Sequence, residues 1–399
     1  LDGLVRPLIG EANAAESHCL LPRIWYAQAG SSLIRIEEAL MVARRVFAVA
    51  GSMFALWGCA AHAQTIQPPF NANYTFTALG SIPGVPAPYG GLTLLPDDPN
   101  ILLIGGMANS ASASIYRVQL QRDACGQIVG FVGTATIYAS CPNIDGGLAF
   151  GPSGVLFATR FSNNGIHQFL PGATSPSRTI DFTPLGMASS TGSCNFVPPG
   201  FGGAGRFKSV SYNTGQFYDV TLTPDGNGTF NCVNPVQTAD FPTTIEGFAY
   251  VAAGSPNFPV ASMVVSEYTA GVVAAYEIDG QGNPIVSTRR PLLTGFGGPE
   301  GAFIDPGTGD FLFSTFTGNQ LVIIRGFEAA ADCDSIDFNN DGSLFDPVDI
   351  DAFLSVFSEG PCIPETATCN DIDFDNNGSC FDPNDIDSFL SVFSEGPCL

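Results

Sequence analysis

Between Ile66 and Phe327 the apolar residues come in short runs divided by Gly, Pro, Asn and Asp. Leu92 and Leu94, and again Leu148 and Phe150, alternate as the half-buried face of a strand does. Long helical periodicity is absent there, which argues against a βαβ layout. A phrase recurs: GGLTLLPDDPNILLIGG from Gly90, GGLAFGPSGVLFATRF from Gly146, EGFAYV from Glu246 and EGAFIDPGTGDFLFSTF from Glu300. A weaker relative, GGAGRFKSVSYNTGQFYDVTL, starts at Gly202. Each reads as a small-residue opening, a strand, a Pro/Asp/Gly turn and a second strand, then a third such as SIYRVQL. Successive starts lie 44 to 56 residues apart, near the spacing of one four-stranded propeller blade. Five phrases, plus a blade completed by Tyr74–Leu79 pairing with the last strand, predict six blades over residues 66–327 in preference to five or seven. A β-sandwich is the alternative architecture, and it leaves the repeated phrase unexplained.

The pattern changes beyond Asp332. Ile336 to Cys362 returns 36 residues later as Ile372 to Cys398, with 22 of 27 positions identical. Ile350, Phe353, Leu354 and Phe357 fall at helical spacing, matched by Ile386, Phe389, Leu390 and Phe393. One apolar stripe on each unit, with no room for a core of its own, predicts two helices packed together. Asp346-Pro347 reads as an N-cap followed by Pro at the first helical position, and Gly360-Pro361 and Gly396-Pro397 end the helices.

Oxygen-bearing side chains stand at alternate positions around a glycine before each helix. Asp337, Asn339, Asp341 and Gly342 fit positions 1, 3, 5 and 6 of an EF-hand-type loop, with Asp346 and Asp349 in the roles of positions 9 and 12. Asp346 and Asp349 fall one residue late, so each loop carries a one-residue insertion. Asp373, Asp375, Asn377, Asp382 and Asp385 take the same roles in the second copy. Hard oxygen donors without His or thiolate select calcium, so two Ca2+ sites are expected. With Asp in place of a bidentate Glu, their affinity is expected at about 10⁻⁵ to 10⁻³ M.

Composition agrees with an all-β secreted chain: 13% of residues are charged, and there are 46 Gly, 30 Pro and 32 Phe. The net charge of −23 is uneven, since residues from Asp332 onward hold 16 acids and no Lys or Arg. Nucleic acid is excluded as a partner, because the sole lysine is Lys208 and the arginines are scattered. Met41 to Ala63 has two arginines, an apolar run and Ala61-His62-Ala63, which reads as a secretory signal peptide cut after Ala63. A lipoprotein box around Cys59 is the lesser alternative. Residues 1–40 read as upstream sequence outside the native protein, and no later segment is long and apolar enough to span a membrane. Nine cysteines follow Ala63 and read as disulfides. The expected pairs are Cys125–Cys141 across an outer hairpin, Cys194–Cys232, Cys333–Cys362 and Cys369–Cys398, with Cys380 left over. Each pair in the tail would contribute roughly 3 to 4 kcal/mol.

The propeller phrases resemble those of extracellular six-bladed propellers of the NHL-repeat, strictosidine-synthase-like and gluconolactonase-like class. That resemblance implies an acidic residue at the start of an inner strand helping to hold a channel metal. Glu246, Glu300 and Asp145 stand in such positions; capping of turns around a water-filled channel is the plainer role. A nucleophile–base triad would need His167 as its base, and the phrase around it reads as an exposed surface strand. The tail over residues 333–398 resembles dockerin modules, particularly the tandem repeats of Planctomycetes-type secreted proteins. This implies an F-hand pair that docks a surface or extracellular protein partner. The residues before Asp349 and Asp385 depart from those of cellulosomal dockerins, which sets cohesin recognition apart from calcium binding.

The expected protein is therefore mainly β: a six-bladed β-propeller with a small α-helical, calcium-binding tandem module. It is secreted and non-catalytic, acting as a binding scaffold whose ligand the sequence does not name. The alternative is a lactonase- or esterase-like hydrolase with a channel metal; a third reading makes the tail only a calcium-stabilised cap.

Overall fold

A computed structural model describes residues 63–123, 126–327, 334–370, 372–375, 380–381 and 383–394. The upstream segment and all but the last residue of the signal peptide lie outside these, as do Cys125, Cys333, Asn377, Asp382 and Cys398. Two short strands open the described chain, β1 (Thr65–Ile66) and β2 (Thr75–Gly80). Then come four-strand runs of alternating pattern, each folding into an antiparallel sheet. The first is β3 (Tyr89–Leu95), β4 (Asp98–Gly106), β5 (Ser114–Arg122) and β6 (Ile128–Ser140). The second is β7 (Ile144–Phe150), β8 (Leu156–Arg160), β9 (Gly165–Phe169) and β10 (Arg178–Asp181). The third is β11 (Thr191–Phe196), β12 (Phe207–Ser211), β13 (Gln216–Pro224) and β14 (Phe230–Asp240). The fourth is β15 (Ile245–Val251), β16 (Ser262–Glu267), β17 (Val272–Glu277) and β18 (Arg290–Thr294), edged by β1. The fifth is β19 (Pro299–Ile304), β20 (Phe311–Thr315) and β21 (Leu321–Arg325), edged by β2.

Among the described residues the strands thus form five sheets, and their first strands touch in a closed ring, β3 to β7 to β11 to β15 to β19 and back to β3. This is a five-bladed propeller, and the expected six blades are corrected to five. Tyr74–Leu79 does pair with the last strand, as the sequence predicted: β2 runs antiparallel to β21 from Thr75 opposite Arg325 to Gly80 opposite Leu321. It finishes the fifth blade instead of adding a sixth, because β19 to β21 lack only an outer strand. The weak phrase at Gly202 was also one element late. The inner strand of the third blade is β11, and Phe207 onward is its second strand.

Five apolar clusters fill the five seams between blades. The fifth-to-first seam, for example, interleaves Leu92, Leu102 and Ile104 with Leu312, Leu321 and Ile323. Polar clips cross the same seams. Fully buried Lys208 donates to Asp219 Oδ2 at 2.9 Å and to Asn283 Oδ1 at 2.7 Å, tying the third blade to the fourth. Arg122 meets Asp305 at 2.6 Å between the first and fifth blades.

His167 is 4% exposed and not a surface residue. It lies on β9, with Nδ1 2.7 Å from Thr179 Oγ1 and Nε2 3.0 Å from the Pro142 carbonyl, so its ring is occupied by structural hydrogen bonds. The cysteines differ from expectation as well. Cys141 is a buried free thiol at the end of one long outer strand, β6, where a hairpin was expected. Cys194 and Cys232 are likewise buried free thiols. Cys362 pairs with Cys369 across the linker between the two tail units, which excludes both expected tail pairings. Cys380, expected to be spare, is disulfide-bonded.

Among the described residues the tail holds two helices, α1 (Pro347–Phe357) and α2 (Pro383–Phe393). Asp346 caps α1, accepting from Val348 and Asp349 N–H groups, while Asp349 reaches back to the Asp346 N–H. The helices meet through Phe353 and Phe389, whose rings stack 4.1 Å apart at 9°. The stripe is narrower than predicted: Leu354 and Leu390 are each 47% exposed, and Ala352 and Ser388 are buried in the core.

Truncating the chain through Gly80 leaves the edge of β21 unpaired and should remove the cooperative thermal transition and give self-associated protein on size exclusion. A monomer with an unchanged transition would contradict the closure described here. For His167, burial holds the pKa at about 4, below the ordinary 6.5. The unfolded chain therefore takes up the proton first, and stability is lost as pH falls from 6.5 towards 4, by up to about 3 kcal/mol. Urea denaturation across that range should show a shallower loss in His167→Gln, and equal slopes would oppose the assignment.

Candidate functional site at the propeller axis

The five inner strands approach one another backbone to backbone. A Cβ on Gly146 would collide with the Glu246 carbonyl, and one on Gly247 with the Gly301 carbonyl, so glycine is required at both positions. The residue before each of these glycines is acidic. β7 contributes Asp145, β15 Glu246 and β19 Glu300, while β3 and β11 open with Tyr89-Gly90 and Thr191-Gly192. Tight passage of the strands confines the three carboxylates to one small volume.

Asp145, Glu246 and Glu300 each offer an oxygen within 4.8 Å of the other two. Their exposures are 0%, 3% and 1%, so they are sealed from solvent and do not line a water-filled channel. Asn109 donates its amide to Asp145 Oδ1 at 3.0 Å, with its orientation assigned from the hydrogen bonding. Asp145 Oδ2, Glu246 Oε2 and both Glu300 oxygens have no hydrogen-bond partner. Burial pushes all three carboxyls well above the usual carboxylate range, and the neighbouring acids add to the rise at Glu246 and Glu300. At an effective dielectric of about 20, two carboxylates this close repel by about 3 to 4 kcal/mol.

A collar lies beyond the second strands. Met107, Phe161, Tyr212, Tyr268 and Phe316 follow β4, β8, β12, β16 and β20 in turn. Each donates its N–H to a carbonyl just ahead of its own blade's inner strand: Pro86, Asn143, Ser190, Thr244 and Gly298, at 2.7 to 2.9 Å. Adjacent rings meet edge to face, with centroids 6.0 Å apart for Phe161–Tyr212, 5.7 Å for Tyr212–Tyr268 and 6.0 Å for Tyr268–Phe316. Burial raises the Tyr212 and Tyr268 hydroxyl pKa values, and the three carboxylates raise them further, which places both tyrosines in the field of the acidic cluster. Two residues before the collar, hydroxyls bridge to the next blade. Thr159 Oγ1 donates to the Gly192 carbonyl at 3.0 Å, Ser266 Oγ to Gly301 at 2.9 Å and Ser314 Oγ to Gly90 at 2.7 Å. Neither set was picked from the sequence. The available signal was hydroxyl-x-aromatic at the end of the second strand: Thr159-Arg160-Phe161, Ser266-Glu267-Tyr268 and Ser314-Thr315-Phe316.

In the tail, Asp337 Oδ1 and Oδ2 accept the Asp341 and Gly342 N–H groups, each at 2.9 Å, curling the loop around the first acid. Asn339 Nδ2 donates to Asp341 Oδ2 at 3.2 Å, and Asp349 Oδ1 accepts from the Asn339 N–H at 3.4 Å. Asp346 closes the loop as the helix cap. Asp349 is fully buried, and burial raises its carboxyl pKa, with Asp346 and Asp337 adding to the rise. In the second copy Asp373, Asp375 and Asp385 bring carboxylate oxygens within 4.8 Å of one another. Asn377 and Asp382 lie outside the described residues.

No protein-family model matches the chain, and no curated protein does. Solved structures similar to it include a Trichoderma reesei protein of Carbohydrate-Active Enzymes Family AA12, at 10% identity over 66% of this chain and 98% of that one, TM-score 0.41. The PQQ-bound form of an aldose sugar dehydrogenase from Streptomyces coelicolor is similar at 14% identity over 62% and 83%, TM-score 0.35. An auxiliary nutrient binding protein from Bacteroides ovatus is similar at 11% identity over 63% and 76%, TM-score 0.35. At these values the propeller rests on its own five sheets. No helix among the described residues is long and apolar enough to cross a membrane.

The crowding of the axial acids is itself testable. With a chelator present, Glu300→Gln removes one of three clustered carboxyls and should raise thermal stability, by on the order of 1 kcal/mol. An equally clear loss of stability would show that the carboxylates are not in conflict.

Proposed function

We propose that the protein is a secreted calcium-binding scaffold: a non-catalytic propeller that presents a binding surface, held in place by a dockerin-like tandem module. The observation that carries this reading is the likeness of the two tail units. Phe338 and Phe374, Asp349 and Asp385, and Phe353 and Phe389 are buried alike in equivalent positions. The first loop gathers Asp337, Asn339, Asp341 and Asp349 ahead of a helix capped by Asp346. The second gathers Asp373, Asp375 and Asp385. In this reading one Ca2+ sits in each loop, with Asn377 and Asp382 completing the second. The donor set is carboxylate and amide oxygen throughout, as calcium prefers. Leu354 and Leu390, exposed at matching positions, offer a symmetric contact for a protein partner on a cell surface or in an extracellular complex. The signal-peptide pattern before Gln64 supports secretion.

Both ring nitrogens of His167 are engaged in hydrogen bonds, which takes His167 out of a nucleophile–base triad. A second reading, a metal-dependent lactonase or esterase, is favoured only by the axial carboxylates. Robust hydrolysis that disappears in Glu246→Ala would establish it and remove the scaffold reading.

Hydrogen exchange on the full chain tests the module. Calcium should slow exchange across residues 347–357 and 383–393, and Asp349→Asn should weaken the first effect while Asp385→Asn weakens the second. Exchange indifferent to calcium in both helices would refute the proposed role of the tail.

A further inference from the structure

We infer that the propeller axis is itself a cation site, separate from the tail loops: Asp145, Glu246 and Glu300 hold a single divalent cation, calcium by the chemistry of its donors. The inference rests on the axial geometry and not on the reading of the tail. Three buried carboxyls within 4.8 Å of one another can be accommodated by sharing protons or by holding a cation. Four of the six oxygens are sealed from solvent and accept from no protein donor, including both of Glu300, which leaves their lone pairs open to a cation. Asp145 shows the division of labour within one group, since Oδ1 takes the Asn109 amide while Oδ2 is left open.

Among the described residues the cluster contains no His or Cys ligand, which disfavours zinc and copper. Magnesium keeps several waters and demands near-octahedral geometry, whereas calcium accepts carboxylates in mono- or bidentate fashion with few waters. A sealed site formed by three carboxylates fits calcium. The strands that supply it are not all neighbours: β7 belongs to the second blade, β15 to the fourth and β19 to the fifth. One ion would therefore staple the ring across its axis, joining blades whose seams do not touch.

The tyrosines allow this site to be read separately from the tail. Tyr212 and Tyr268 lie in the field of the cluster, and no Tyr or Trp follows Tyr276 in the sequence. Terbium, a lanthanide substitute for calcium, emits on tyrosine excitation only when a tyrosine is close. With the full chain, terbium should give sensitised emission that calcium displaces. The emission should be lost in Glu246→Gln/Glu300→Gln and retained in Asp349→Asn/Asp385→Asn. In Tyr212→Phe/Tyr268→Phe it should fall while the bound terbium, counted by mass spectrometry of the dialysed protein, is unchanged. Circular dichroism of each variant in chelator confirms that the β fold is intact before terbium is added. Absent emission from the folded wild type, or emission that survives in folded Glu246→Gln/Glu300→Gln, would overturn the inference.

Discussion

The close passage of five inner strands around one axis is the constraint on which the rest of this propeller depends. The backbones come near enough that Gly146 and Gly247 cannot carry a Cβ. The adjoining acids then have nowhere to go but a common volume, and Asp145, Glu246 and Glu300 are buried together. Repulsion of about 3 to 4 kcal/mol for each close pair is large beside a net stability of about 5 to 15 kcal/mol. A fold that keeps such a cluster needs protons or a cation at the axis to offset it. The hydroxyl bridges from Thr159, Ser266 and Ser314 and the collar above them hold the strands in that register without neutralising the charge.

Around this axis the blades are held by ordinary means. Each seam buries apolar residues from two sheets, and β2 closes the ring by returning the N-terminal side of the chain to the last blade. The tail works differently. Its small core relies on stacked phenylalanines, an aspartate-capped helix and the Cys362–Cys369 link between its two units. A unit of this size usually needs disulfide or metal support, which suits loops built from acids. Both parts of the chain thus gather carboxylates in a small volume, Asp145, Glu246 and Glu300 at the axis and Asp373, Asp375 and Asp385 in the tail.

The placement of the axial acids was partly legible in the sequence, because glycine beside an acid recurs at the strand openings. The phrase that marked four inner strands also marked Glu246 and Glu300, and Asp145 stood in the same place. The third blade hid because β11 reads TGSCNF, without the acidic or double-glycine opening, and the long Pro198–Arg206 turn separates it from β12. The count of six arose from treating Tyr74–Leu79 as part of another blade; only the pairing with β21 shows that it completes an existing one. Helix logic located the Asp346 cap correctly, since N-capping is decided by local hydrogen bonds. Cysteine pairing failed because it depends on distances between elements that spacing does not encode. His167 failed for a similar reason. A histidine in a polar phrase looks exposed until the Pro142 carbonyl and Thr179 from neighbouring segments are brought to it.

The most direct measurement is anomalous diffraction from crystals grown with calcium or terbium. A peak on the propeller axis, coordinated by Asp145, Glu246 and Glu300 at about 2.3 to 2.6 Å, is the predicted result. An axis without a peak, with the three carboxyls hydrogen-bonded to one another or to water while the tail loops are filled, would contradict it.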